Sequence, residues 1–452
     1  MNSATDSIAA PRRFNPLHLG WGVGSLGAAL FLNSINFMLM FFMMTVLHIN
    51  PAVAGLILTV GKLWDMLFNP LLGMASDRTQ SRWGRRRPFL LLGAVVCSVS
   101  FVLLWSPPHF QSERSLIIYM TVMFLLVSSG YTTFNVPYMA MPAEMIDNYQ
   151  ERSAMIGYRV VFIAIGTLVG GSGAKLLVEQ LGNGRDDYAK MGMIIGAGVF
   201  FFMTLCCIAT RRARFTQREA QHYSFAEQFR TAAGNRPFMA LLAAKFLQLL
   251  ALASVGPTIL FLFKFVLGHV QPGKLVLLYG LMNSGMQILT VPIWHAIGKR
   301  LERRGAFIFA AVVFVVGALS WYFSSPDEPL AVLLLRAAVN GFGASGLLLM
   351  GQSMLPDVTE YDYRRTGLRR EGIFSGFYSF VEKTAFAIAP AIVGFVLAAC
   401  HFNETSQIQP PEALQGILFL MAGLPSLYFV LSIVALYFYD LTEAKLKATV
   451  RA

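Results

Sequence analysis

Apolar stretches of about 20 residues recur from one end of this 452-residue chain to the other, each long enough to cross a ~30 Å hydrocarbon core. Twelve can be placed, at about 19–43, 50–75, 88–106, 115–142, 153–178, 191–210, 238–263, 273–298, 306–323, 330–352, 373–399 and 414–439. Backbone groups in lipid must be satisfied internally, so only helices and closed β-barrels span a bilayer. Barrel strands alternate apolar and polar residues; runs such as Leu90-Leu91-Leu92-Gly93-Ala94-Val95-Val96 do not. The expected fold class is therefore all-α integral membrane, with twelve transmembrane helices. A content of 56% hydrophobic and 13% charged residues excludes a soluble enzyme.

The net charge of +12 would suit a nucleic-acid partner, but its placement argues otherwise. Of the 36 Lys and Arg residues, 25 fall in segments that share a side with the N-terminus: before span one, after each even-numbered span, and at the C-terminus. That is the positive-inside pattern, which places both termini in the cytoplasm and expects no nucleic-acid partner. Residues 1–18 are polar and span one is too long for a cleavable h-region, so no signal peptide is expected. Cys97, Cys206, Cys207 and Cys400 lie in or beside spans without C-x-x-C spacing and read as small hydrophobes.

The longest charged interruption, 211–236, divides the chain into an N-terminal six-helix bundle (1–210), a cytoplasmic connector (211–236) and a C-terminal six-helix bundle with a cytoplasmic tail (237–452). The halves echo each other. Ser81-Arg-Trp-Gly-Arg-Arg-Arg-Pro88 after span two matches Gly298-Lys-Arg-Leu-Glu-Arg-Arg-Gly305 after span eight. Met141-Pro-Ala-Glu144 closes span four as Leu355-Pro-Asp357 closes span ten. Repeated six-span halves belong to transporters whose two bundles move about a central site.

An isolated charge at mid-bilayer costs roughly 2.5–3.5 kcal/mol on insertion scales, so each intramembrane charge is a candidate for function. Lys62, Asp65 and Asn69 share one face of span two, and Asp65 is the expected cation or proton site with Asn69 beside it. Arg159 in span five and Lys383 in span eleven are counter-charges or substrate anchors; the adjacent Glu382 points elsewhere. Polar residues expected to line a cavity are Asn33 and Asn36 in span one, Tyr131, Asn135 and Tyr138 in span four with Thr132 beside them, and Asn340 in span ten. At the cytoplasmic turn, Arg85, Arg86 and Arg87 are expected to gate access by binding carboxylates such as Asp77 or Glu144, or span-end carbonyls. Asp357, Arg369 and Arg370 are the C-terminal counterparts. The sequence contains neither G-x-x-x-x-G-K-[ST] nor H-E-x-x-H, so ATP and a catalytic zinc are not expected, and an ion gradient is the remaining energy source.

At these residues the chain resembles the glycoside–pentoside–hexuronide:cation symporters of the major facilitator superfamily, the family of melibiose permease. Trp64-Asp65 with Asn69-Pro70 resembles the span-two motif W-D-x-x-x-D-P, and Tyr131-Thr-Thr-Phe-Asn-Val-Pro-Tyr138 resembles the span-four signature. Pro356-Asp-Val-Thr-Glu-Tyr-Asp362 with Gly367-Leu-Arg-Arg-Glu-Gly372 resembles the segment before span eleven. The resemblance implies a major facilitator fold and a cation site at Asp65, Asn69 and Thr132. It also implies essential basic roles for Arg159 and Lys383. It departs at Asn69, where the family carries a second carboxylate, at Asn135, and at Ala29, which stands where melibiose permease holds sugar with an acid.

The expectation is thus a secondary symporter of the bacterial inner membrane that moves a small, sugar- or glycoside-like solute with a coupling cation and no cofactor. One carboxylate favours H⁺ over Na⁺, because burial lets it take up a proton while a neutral amide weakens a sodium site. An amphiphile or lysophospholipid symporter of the same fold is the alternative.

Overall fold

The computed structural model describes residues 16–79, 81–146, 149–211, 234–269, 272–366, 371–441 and 445. The twelve apolar runs fold into twelve helices: α1 (Pro16–Thr45), α2 (Pro51–Arg78), α3 (Arg87–Trp105), α4 (Glu113–Met145), α5 (Tyr149–Thr167, continued to Leu181), α6 (Arg185–Ala209), α7 (Arg236–Val266), α8 (Gly273–Leu289), α9 (Val291–Leu319), α10 (Leu330–Thr366), α11 (Glu371–Ala399) and α12 (Pro411–Tyr437). Most of the expected connector, 212–233, lies outside the described residues.

One boundary differs from expectation. The eighth run, read as a continuous span, is divided: α8 stops at Leu289, and Val291 with Pro292 opens α9. A proline supplies no N–H to the preceding turn and disfavours helical geometry in the residue before it. The helix then breaks at Glu302, whose φ of 56° and ψ of 169° are left-handed. Residues 291–301 therefore complete the eighth crossing, and the ninth begins beyond Glu302. By length and composition eleven of the described helices can cross a membrane alone; α8, 17 residues long, does so only with this continuation.

The helices pack in two groups. In the first, α1 contacts α5 and α6, α3 contacts α4 and α6, and α2 contacts α4; in the second, α9 contacts α10 and α12, α7 contacts α11 and α12, and α8 contacts α10. The groups meet chiefly where α2 lies on α11. α1 and α7, first in each group, both widen into a π-turn near the same end, at Ile35–Leu39 and Leu262–Val266. This end, opposite the chain termini, is sealed. There Phe41 of α1 packs against Phe261 of α7 with tilted rings 5.2 Å apart, and Ser172 of α5 donates to the Val276 carbonyl of α8 at 3.3 Å. α2 and α11 interlock by paired glycines. A methyl on Gly55 would lie 2.5 Å from the Pro390 carbonyl, and one on Gly394 would lie 2.3 Å from the Pro51 carbonyl.

Toward the termini the same helices come apart. Pro51, Ala54, Gly55, Ile57, Leu58 and Gly61 of α2 are buried, yet no residue from Lys62 to Leu71 is. The same change occurs in α5, with nothing buried over 156–165, in α8 over 280–289 and in α11 over 379–384. A helix with no buried residue over about two to three turns borders both lipid and a cleft. The described structure is thus a two-group bundle closed at the far face and open at the face that carries the termini.

Candidate functional site

Where α2 leaves the seal it carries Lys62 and Asp65, and α4 answers with a polar turn. Thr132, fully buried, donates its hydroxyl to Asp65 Oδ1. Asn69 donates its amide to the Asp65 backbone carbonyl at 2.5 Å, so its Oδ1 is the group it can offer a cation. Trp64 Nε1 donates to Ser129 Oγ at 2.8 Å and ties the next turn of α2 to α4. Lys62 and Tyr131 both lie within electrostatic reach of Asp65, and Tyr131 also feels Arg159 from α5. The half-buried Arg159 keeps a buried Nε with no hydrogen-bond partner among the described residues. One carboxylate, two cations and a phenol from three helices are thus gathered at the level where the cleft begins.

A cavity of about 200 Å³ adjoins this cluster between the two groups. Lys62, Asn33 and Asn36 form its polar side; Leu58, Leu252, Pro257, Phe386 and Pro390 form an apolar wall. Asn33 is held by its own helix at the Ala29 carbonyl (2.8 Å) and by Thr167 of α5 (3.1 Å). Lys383 is half-buried on α11, one residue before Thr384, whose hydroxyl meets Met66 Sδ of α2 at 3.8 Å.

Two expected lining residues face elsewhere. Tyr138 is 1% exposed, stacks on Trp21 at 4.7 Å, and shares hydrogen bonds with Ser25 Oγ (2.6 Å) and the Trp21 carbonyl (3.0 Å). The span-four stripe turns toward α1, since Tyr131 likewise stacks on Phe31 at 5.4 Å, while Asn135 is half-buried one turn beyond it. Asn340 is buried inside the second group, where it donates to the Tyr279 hydroxyl at 3.4 Å and its Oδ1 abuts Gly317. Both residues pack helices in this state rather than line the cleft.

The basic turn knits the termini-bearing face of the first group. Glu144 at the end of α4 receives Arg85 and Arg86, each at 2.6 Å. Arg86, 7% exposed, also reaches Asp77 at 2.7 Å and Ser76 Oγ at 2.7 Å, while Arg87 donates to the Thr210 carbonyl of α6 at 2.9 Å. The second group repeats the device with Arg303 on Asp357 and the Ser353 carbonyl. Arg369 and Arg370 lie outside the described residues.

Sequence reasoning passed over two buried polar groups. At the far face, Lys175 and Glu179 of α5 pair at 3.3 Å, and both Glu179 oxygens accept the Gly273 N–H at the start of α8, at 2.8 and 2.9 Å. Within the second group, α7 buries Lys245 and Gln248. Lys175 near the end of the run 153–178, Glu179 just past it, and Lys245 within 238–263 were the available signal.

Comparison with known proteins adds relationship to this geometry. Residues 20–443 match the family model described as MFS/sugar transport protein. The chain is 29% identical over 434 residues to YagG of Escherichia coli (strain K12), described provisionally as a glycoside/cation symporter, covering 96% of this chain and 93% of that one. It is 23% identical to the sodium-dependent lysophosphatidylcholine symporter 1 of Xenopus tropicalis, with 93% and 86% covered. Among solved structures it is similar to a bacterial homolog of the human lysosomal transporter Spinster, with a TM-score of 0.66, 13% identity, and 95% and 97% of the two chains covered. At that identity the likeness is one of fold.

Proposed function

This chain belongs to the MFS/sugar transport protein family, the glycoside–pentoside–hexuronide:cation symporters of the major facilitator superfamily, and is a multi-pass membrane transporter rather than an enzyme; from that premise we propose that it imports a small glycoside-like solute across the bacterial inner membrane together with H⁺. The observation that carries the reading is Asp65. It is an intramembrane carboxylate bound by Thr132 and within reach of Lys62, at the inner end of a cleft. Protonation there changes the balance of charge among Lys62, Asp65 and Arg159, and so the affinity of the cleft for a polar solute. The excess of Lys and Arg on the termini-bearing side supports a cytoplasmic location for both termini, and hence a cytoplasm-open cleft.

Proton coupling is preferred because a sodium ion needs several oxygen ligands, and here one Asp65 oxygen already accepts from Thr132 while Asn69 brings no charge. Arg159, Lys383, Asn33 and Asn36 are the proposed solute contacts. The Arg85–Arg86–Glu144–Asp77 cluster and its counterpart at Arg303–Asp357 are proposed to reset when the termini-bearing face closes. The apolar wall of Leu58, Leu252, Pro257 and Phe386 favours a second reading, an amphiphilic solute with a polar head at Asn33 and Lys62.

Proteoliposome uptake decides between these. Labelled glycosides, glucuronides and lysophospholipids are offered under an imposed pH gradient without Na⁺, and under a Na⁺ gradient at fixed pH. Accumulation of a glycoside with the pH gradient alone is expected. Accumulation of lysophospholipid only would establish the second reading, and no gradient-driven uptake of any class would refute both.

A further inference from the structure

The two groups carry the same basic turn but complete it differently. In the first, Arg86 is 7% exposed because Asp77, Glu144 and Ser76 close around it. In the second, no residue from 291 to 301 is acidic, so the turn has no counterpart of Asp77. Arg303 binds Asp357 and the Ser353 carbonyl, yet its side chain stays 46% exposed. Beside it lies a cavity of about 510 Å³, lined by Lys299, Arg303 and Arg304 of α9 and Arg364 of α10 against the carboxylates of Glu302 and Asp357. Asp357 is engaged by Arg303, and Arg364 by Glu360 at 2.7 Å, so Lys299 and Arg304 against Glu302 carry the positive excess. The backbone break gathers these charges. On an unbroken helix Lys299 and Arg303 share a face and Arg304 turns about 100° away; across the left-handed Glu302 all three line one cavity.

The cavity lies where lipid-facing surface begins. Arg304 sets its guanidinium 5.8 Å from the Tyr437 ring and donates to the Tyr437 carbonyl at 3.4 Å, at the end of α12. α9 and α12 are in contact, and each carries an exposed apolar stripe leading away from this point. On α9 the stripe is Phe309, Val312 and Val316; on α12 it is Tyr437, Val434 and Val430. Steps of three and four residues keep each stripe on one helix face. Phe309 stands five residues beyond Arg304, about 7–8 Å along the helix. The headgroup layer of one leaflet is about 5–8 Å deep. A phosphate held at Lys299 and Arg304 therefore sits at headgroup level, with hydrocarbon-facing side chains directly beneath it. A soluble anion would use the basic walls but not the stripes.

We propose that this cavity binds the phosphate headgroup of an anionic phospholipid, with Lys299 and Arg304 as the phosphate contacts and the α9 and α12 stripes under its acyl chains. Ammonium and guanidinium groups make charge-assisted bonds to phosphate oxygens, and basic pockets among membrane helices hold such headgroups. The inference uses no residue of the proposed solute and ion sites and holds whichever solute is carried.

The test follows the melting temperature of the full chain in uncharged detergent micelles, because a ligand that binds the folded state raises it saturably. Dioctanoyl phosphatidylglycerol, dioctanoyl phosphatidylcholine, glycerol 3-phosphate and inorganic phosphate are titrated separately. Phosphatidylglycerol should stabilise saturably, and the other three should do so at least tenfold more weakly. Lys299→Gln/Arg304→Gln should lower the phosphatidylglycerol affinity by about tenfold or more, the scale of one charge-assisted contact. Arg78→Gln/Arg82→Gln, which removes two charges from exposed positions at the corresponding turn of the first group, is the matched control and should change it less than threefold. If the first pair does not fold, Lys299→Glu alone, at an exposed position, must lower the affinity by at least tenfold. Equal losses in the two pairs would mean attraction by net charge and overturn the site. Phosphatidylcholine binding as tightly as phosphatidylglycerol, or no saturable shift with either, would overturn it as well. Glycerol 3-phosphate or inorganic phosphate binding as tightly as the lipid would overturn the assignment to a lipid. Absent solute uptake with an intact phosphatidylglycerol shift would count against the symporter reading alone.

Discussion

Glu179 offers a measurable test of how the far face is sealed. Its pair with Lys175 lies within α5 and survives any relative motion of the groups; only its bonds to the Gly273 N–H cross between them. Glu179 is 7% exposed, and a methyl on Gly273 would lie 2.5 Å from Glu179 Oε2, so the contact is close and admits no side chain at 273. A hydrogen bond to a charged group contributes about 1.5–3 kcal/mol, a neutral one about 0.5–1.5. Glu179→Gln keeps one acceptor and loses the charge facing the start of α8, so it should weaken the seal by about 1–1.5 kcal/mol. At 1.4 kcal/mol per decade the far-open population rises by about five- to tenfold. Glu179→Ala should raise it by about ten- to a hundredfold. The assay is alkylation of Ser172→Cys, which is buried in the seal beside Val276, by a membrane-impermeant maleimide added from the far side. Equal labelling rates in wild type and Glu179→Ala would refute the role of this contact in holding the face closed.

Asp65→Asn should end gradient-driven accumulation while solute exchange at equal concentrations continues; concentrative uptake by that variant would remove Asp65 from coupling. Arg159→Ala and Lys383→Ala should each lower solute affinity by about tenfold or more, the scale of one charge-assisted contact, as read by equilibrium binding. Arg86→Ala removes one of the two arginines on Glu144 and the ion pair to Asp77, and should slow turnover more than it changes affinity, as seen in the split between maximal rate and half-saturation. Asn69→Asp adds a second carboxylate and should shift the driving ion toward Na⁺, measured as uptake under a Na⁺ gradient at fixed pH.

Hydropathy alone located all twelve helices, because about 20 apolar residues in lipid have no alternative to a helix. Charge in a run led to Asp65, and the Thr-Thr turn at 132 supplied its partner. What escaped were features that depend on neighbours. The division at Thr290 was written in Val291-Pro292, but apolar continuity masked it. Tyr138 shares the helical face of Tyr131, yet a face becomes a lining only if the opposing helix withdraws, and α1 does not. Asn340 was read as lining from its polarity, although the bulk of α9 at Gly317 encloses it. Lys175, Lys245 and Gln248 were visible as interruptions of apolar runs and Glu179 as the residue that ends one, but where each is buried and that Lys175 pairs with Glu179 lie in tertiary structure.

The reciprocal glycine notch between α2 and α11 also sets a mechanical ratio. From Gly55 at the notch, α2 continues to Arg78, an arm of about 35 Å at 1.5 Å per residue. A tilt of about 10° about the notch would displace the tip of that arm by about 6 Å, and an opposite tilt of α11 would about double the gap. At the notch itself the same tilt moves backbone past backbone by only a fraction of an ångström, within what carbonyl-to-glycine contacts absorb. The interlocked glycines thus act as a bearing with high leverage, in which a movement too small to break the seal opens a mouth wide enough for a solute.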